Sequence, residues 1–355
     1  MNTRSHVLLP LLLCATMTAQ DQPTAAVQNP KTPQHERLAA FVGTWRTEST
    51  MAAMPGVPGM EKPTEATGTE RAELVCNGLW LKVSGEGSFG GQACSGLWLL
   101  GYDAIAKTYQ CLAVSSMDES VCCVDGRYDE KGKVWHFHGE TPMGPFRSEF
   151  AFESADRSVE VCYAKGADGK DTQFLRTVRT RTKAPSDGVT RPAPAIAMAV
   201  AAGTPTPLAA LQADIGTWDA DFKMEMPGAP GMQARCREVL APICGGKWIW
   251  SDFTGELMGA PFEGHGLAGC DGKTGKVVSF WIDSMNGAWM RTDGTFDAQQ
   301  KVLSMRGTCY DEHGKRTPVA STSTATGKDA RLFRMTFGAG ESQSVMTIAY
   351  RRAVK

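Results

Sequence analysis

Few residues in this chain are spaced for chemistry, and each has a plain structural competitor. His136 and His138 stand two apart in a stretch of strand character, so they share a face and offer a metal two imidazoles. The second half of the chain, aligned at an offset of 168, carries Ser304 and Arg306 at those places. The alternate positions, Trp135 and Phe137, match Leu303 and Met305, so the apolar face belongs to the core and the histidines to solvent. Asp283 beside Trp281 could orient a polar group of a ligand, and a turn-capping aspartate explains the same residues. Cys122 and Cys123 are adjacent and point to opposite faces of a strand, which argues against a redox pair. There is no Cys-x-x-Cys, no zinc-spaced Cys/His set, no nucleophile elbow, no phosphate loop and no pair of catalytic carboxylates. No metal site or catalytic residue is assigned, and the cofactor is left open.

What must position such residues is a unit that occurs twice. Gly43-Thr44-Trp45 and the Met-Pro-Gly-x-Pro-Gly-Met run at 54–60 return as Gly216-Thr217-Trp218 and the run at 226–232. Two copies of one unit follow, at 32–183 and 205–355, each expected to fold alone. Residues 184–204, rich in Ala and Pro, read as a linker, and 20–31 as a disordered lead. Residues 1–19, with Arg4 before a short apolar core and Thr18-Ala19 near its end, read as a cleaved secretory signal. The expected location is therefore periplasmic or extracellular, with no membrane span. A net charge of −1 gives no reason to expect a nucleic-acid partner. In an oxidising compartment the cysteines, six and four per unit after removal of Cys14, are expected to form structural disulfides, with buried free thiols as the competing reading.

Within each unit, alternation and a turn about every dozen residues give an all-β pattern of about ten strands joined by short connections. A Thr-Pro start at 32–33 and 206–207 places a short helix before each. The predicted fold is two tandem up-and-down antiparallel β-barrels, with a two-sheet sandwich as runner-up. If the hairpin turns about Ser116-Met117, Cys111 and Cys122 face each other across it as a disulfide candidate.

The helix followed by Gly-x-Trp resembles the calycin superfamily, which includes the lipocalins. That resemblance implies a tryptophan plugging one end, Trp45 and Trp218, with a last-strand arginine across it; Arg179 and Arg351 are the choices, with Arg181 and Arg352 close by. More specifically, His35, Leu38, Gly43 to Trp45, Met54 to Gly56, Gly101 to Asp103, and Trp281 with Asp283 to Met285 resemble the bacterial domain-of-unknown-function family 1579. The family implies a fold and leaves function open.

If the tryptophans close one end, turn order gathers the methionines at the other. Met54, Met60, Met117 and Met143, and Met226, Met232, Met258 and Met285 with Trp281 and Asp283, form the expected ligand-binding rims. Three classes of function stay open: a binder of a small apolar or amphipathic ligand, an enzyme using rim Asp and Ser residues, and a ligand-free interaction module. Oligomeric state is not legible.

Overall fold

The computed structural model describes residues 31–53, 61–141, 144–165, 169–182, 206–272, 274–311, 313–340 and 343–354. The expected signal, lead and linker fall almost wholly outside them, as do Met54, Met60 and Met143. Ten strands make the first barrel: β1 (Gly43–Met51), β2 (Thr64–Val75), β3 (Trp80–Phe89), β4 (Gln92–Asp103), β5 (Thr108–Ser115), β6 (Cys122–Asp129), β7 (Val134–Thr141), β8 (Gly144–Ser154), β9 (Arg157–Lys165) and β10 (Asp171–Thr182). Ten more make the second: β11 (Gly216–Glu225), β12 (Met232–Ile243), β13 (Trp248–Leu257), β14 (Ala260–Cys270), β15 (Val277–Asp283), β16 (Asn286–Asp297), β17 (Val302–Tyr310), β18 (Arg316–Gly327), β19 (Ala330–Phe337) and β20 (Ser344–Arg352). Each strand pairs with its sequence neighbours, and β1 with β10 and β11 with β20 close the two rings. Closure leaves no edge strand unpaired, which is what the all-β pattern required. Among the described residues no helix is long and apolar enough to cross a membrane.

A short helix seals one end of each barrel. Helix α1 (Pro33–Glu36) runs on as a 3-10 turn to Phe41, and α2 spans Pro207–Ala213. Leu38 and Phe41 are buried against Trp45. The Trp45 indole N–H donates to the Phe41 carbonyl at 2.7 Å, and Trp218 does the same to Asp214 at 2.7 Å. The arginine across each tryptophan corrects the choice made from distance along the chain. Arg181 lies 4.1 Å from the Trp45 ring centre and Arg352 4.2 Å from that of Trp218, and both donate to carbonyls of the sealing segment. Register decides it: Arg181 faces Trp45 and Arg352 faces Trp218 across the closing strands. Arg351, one residue away, turns to solvent, because a single step in a strand reverses the face. Arg179 does point inward, one layer higher.

The barrels also share a core along their outer walls. Trp80, Leu99, Leu112 and Val114, with Cys76, pack against Trp248, Leu267, Phe280, Ile282 and Cys244. At the offset of 168 these are the same positions in both copies, so one patch meets its own counterpart, as in a two-fold dimer. Trp80 stacks on Trp289 at 6.1 Å and lies directly over Gly101, and Trp248 lies over Gly269; a β-carbon at either glycine would collide with the indole. The two barrels run antiparallel. The Cys76 N–H, at the sealed end of the first barrel, donates to Glu263 at 2.8 Å in the open half of the second, and Cys244 in turn reaches the Val114 carbonyl.

Candidate functional site

Every second residue of a strand faces the bore, so the two interiors can be compared position by position. Below, near the sealing helix, the first bore is filled by Trp45, Trp135, Phe150, Phe152 and Tyr109. A cavity of about 10 Å³ remains between Trp45 and Arg179, no more than a water needs. Above this layer Arg179 bridges two carboxylates, donating to Glu70 at 2.8 Å and to Glu160 at 3.0 Å. Burial works against its charge, yet the two carboxylates outweigh burial and hold its pKa above the usual arginine value.

Above Arg179 many inward positions of the first bore are small, with the larger Phe89, Phe146 and Leu175 among them. Around this cup Ser49, Ala113, Cys94, Cys122 and Ala164 point inward and keep intermediate exposure. Ser148, Cys162 and Thr177 complete its wall, and the hydroxyls of Ser49 and Thr177 meet at 2.8 Å. In the second barrel the corresponding inward positions are large. Ser49 becomes Phe222, Gly85 Phe253, Cys94 Phe262, Ala113 Trp281, Cys122 Met290, Cys162 Met335 and Thr177 Ile348. Phe222, Phe253 and Ile348 are buried there, with Trp281 and Met346 packed against them. One barrel is plugged by its own side chains. The other carries small residues at the same positions.

The buried carboxylate of the lower layer survives in both copies while its cation changes strand. Glu238, the counterpart of Glu70, accepts from Ser251 at 2.6 Å and pairs with Arg331 of β19. Tyr350 stands where Arg179 stood, and Arg331 stacks on it at 3.9 Å.

The rim residues expected from sequence divide. Met117 and Met258 are exposed on open-end turns, and Met226 and Met285 are half-buried there. Met232 packs onto the second bore's core, as does Trp281. Asp283 accepts from the Trp281 indole at 2.9 Å and from the Met285 backbone at 2.9 Å, so it fastens the plug and caps the turn. Burial pushes its carboxyl pKa up, and these hydrogen bonds only partly offset that. His136 and His138 lie on the outer face, while Trp135 and Phe137 are buried.

The disulfide candidate is a correction. Cys111 faces Val124 and Cys122 faces Ala113, so the hairpin turns later than its centre at Ser116-Met117 implied, and the two thiols sit diagonally. All ten cysteines among the described residues are free. Burial pushes the thiols of Cys122 and Cys162 up, so they line the cup as neutral, weakly polar groups, and does the same to Cys111 in the layer below.

The residues of this cup were not singled out from sequence. The signal was available: inward positions of the two copies, aligned and compared for size, separate a filled bore from an open one.

Among solved structures, the S-type phycobiliprotein lyase CPES from Guillardia theta is similar at 14% identity and a TM-score of 0.33, over 43% of this chain and 94% of that one. Rv2717c from M. tuberculosis is similar at 13% identity and a TM-score of 0.33, over 43% of this chain and all of that one (100%). A de novo designed fluorescence-activating β-barrel is similar at 17% identity and a TM-score of 0.24, over 41% of this chain and 97% of that one. No curated protein matches the chain. The family model described as "Protein of unknown function (DUF1579)" matches residues 30–181 and again 206–352, and the chain therefore belongs to that family, as two members in tandem.

Proposed function

We propose that the chain is an exported binder of a small apolar or amphipathic molecule, which enters the first barrel from its open end. The observation that carries this reading is the difference in filling between two bores of common design. Pairs such as Ala113 and Trp281, or Ser49 and Phe222, put small side chains above Arg179 in one copy and large ones in the other. Protein interiors are close-packed unless something occupies the gap, so a bore lined by serine, alanine and neutral thiols is shaped for a guest. The hydroxyls of Ser49, Ser148 and Thr177 would orient its polar end, and Phe89, Phe146 and Leu175 would cover its apolar part. The second barrel serves as a rigid partner. Export is supported by the signal-like leader at 1–19.

The test is to graft the plug into the cup. Wild-type protein and the double variant Ser49→Phe with Ala113→Trp are titrated with an environment-sensitive apolar dye, and protein from its own host is examined by native mass spectrometry. The wild type should take up one dye, or arrive with a bound small molecule, and the double variant should do neither. Equal dye binding by both proteins would sink the proposal.

A further inference from the structure

One polar cluster lies outside both bores, at the seam between the barrels. Glu263 and His265 sit two apart on the outer face of β14, and Asp252 faces His265 from β13. Cys76 approaches from the first barrel and is fully buried. The Cys76 sulfur, a His265 ring nitrogen and a Glu263 oxygen lie within 4.8 Å of one another.

The hydrogen bonding of His265 is unusual in one respect. Its Nδ1 is 2.8 Å from Asp252 and its Nε2 2.9 Å from Glu263, so both ring nitrogens face carboxylate oxygens. Trp250 stacks on the ring and donates its indole N–H to the same Asp252 oxygen at 2.6 Å, which fixes that side. Both ring nitrogens are thus lined by carboxylate oxygens, an arrangement that suits a cation beside the ring.

We propose that this seam is a zinc-class cation site, with Cys76, His265 and Glu263 as protein ligands and Asp252 as the outer partner that orients the histidine. A divalent ion between Nε2 and Glu263 would take both as ligands. Thiolate, imidazole and carboxylate together suit zinc, and a histidine whose other nitrogen donates to a carboxylate is the arrangement zinc ligands use. Bonds of about 2.0–2.3 Å require the three atoms to close in by about 1 Å. Glu263 can make that move, since its side chain is 36% exposed, and solvent on its side can supply a fourth ligand. Binding releases the Cys76 thiol proton to solvent, leaving thiolate on the ion.

The pseudo-symmetric seam shows that packing alone does not demand this set. Cys244 occupies the place of Cys76, yet Ser95 and Leu97 stand where Glu263 and His265 do, and Ser84 where Asp252 does. The cysteine is common to both seams. The other three groups are found at one.

The full chain, reduced and stripped of metal, is titrated with Co²⁺ and then Zn²⁺. We expect one cobalt per chain, with the visible bands of a tetrahedral ion and a thiolate charge-transfer band, both bleached by zinc. The signal should persist in Cys244→Ser, vanish in Cys76→Ser, and require about 10–100-fold more metal in Asp252→Asn. Absence of a stoichiometric charge-transfer band in the wild type overturns the proposal, whatever the variants do. So does a band that survives in Cys76→Ser, which would place the cobalt on another thiol.

Discussion

Truncation of Trp80 tests whether the seam is a core or merely a contact. Trp80 belongs to the outer wall of the first barrel, has no exposed surface, stacks on Trp289 and covers Gly101. A buried tryptophan removes roughly 150–250 Å² from water, worth about 4–6 kcal/mol at about 25 cal/mol per Å². Measured truncations of buried aromatics cost about 3–5 kcal/mol. Trp80→Ala should therefore lower stability by about 3–5 kcal/mol, a drop in Tm on the order of 5 °C or more. Because the loss falls between barrels, it should also uncouple them. Differential scanning calorimetry should show one cooperative transition in the wild type, and two in Trp80→Ala. The reasoning is refuted if the wild type already melts in two independent steps and Trp80→Ala moves neither. The same argument revises the expectation that each unit folds alone: an isolated second unit exposes Trp248, Phe280 and Ile282, and should self-associate in analytical ultracentrifugation.

Arg181→Ala should cost about 1–2 kcal/mol in denaturant unfolding, since it loses a cation–π contact and three carbonyl partners, whereas Arg351→Ala should change stability by less than about 0.5 kcal/mol. Arg179→Met should be far worse, about 3–5 kcal/mol, because Glu70 and Glu160 would be left buried without a cation. Asp283 has a folded pKa raised by burial, so ionising it opposes folding. Its contribution is therefore fully present below the unfolded value of about 3.9 and is lost as pH rises through the higher folded value. Urea midpoints measured across that window should show this loss in the wild type and not in Asp283→Asn. Alkylation of unfolded, unreduced protein should label every one of the ten described cysteines. Native protein at mild pH should label slowly at Cys123, whose thiol burial lifts to about 12, and at Cys244 and Cys309, each lifted to about 11.

The barrels were legible because their causes are local and repeated. Gly-Thr-Trp marks the plugged end, alternation marks the strands, and short turns leave a meander as the natural connection. Between Arg179 and Arg181, which both face inward, only pairing register tells which one meets Trp45, whereas Arg351 and Arg352 lie on opposite faces of their strand. The seam left a signal that was passed over. Leu97 to Leu100 and Trp248 to Trp250 are apolar at consecutive positions, which marks strands buried on both faces. The cup carries no motif, since serine, alanine and cysteine at alternate positions are ordinary strand residues until their sizes are set against the second bore. The metal ligands could not be found by spacing at all. Cys76 and Glu263 are 187 residues apart, and only the antiparallel packing of two barrels brings them together.

That packing also bears on how the two halves came to differ. A pair of identical barrels meeting through one self-complementary patch would have to present two identical bores and two identical seams. It would also fall apart on dilution. Joined in a single chain, the partners meet at an effective concentration set by the tether, so neither must be good enough to recruit the other from solution. Symmetry is then no longer enforced. One copy could give up its guest space to methionine and phenylalanine and become ballast that stiffens its twin, and one of two equivalent seams could collect Glu263, His265 and Asp252 while the other kept Ser95, Leu97 and Ser84.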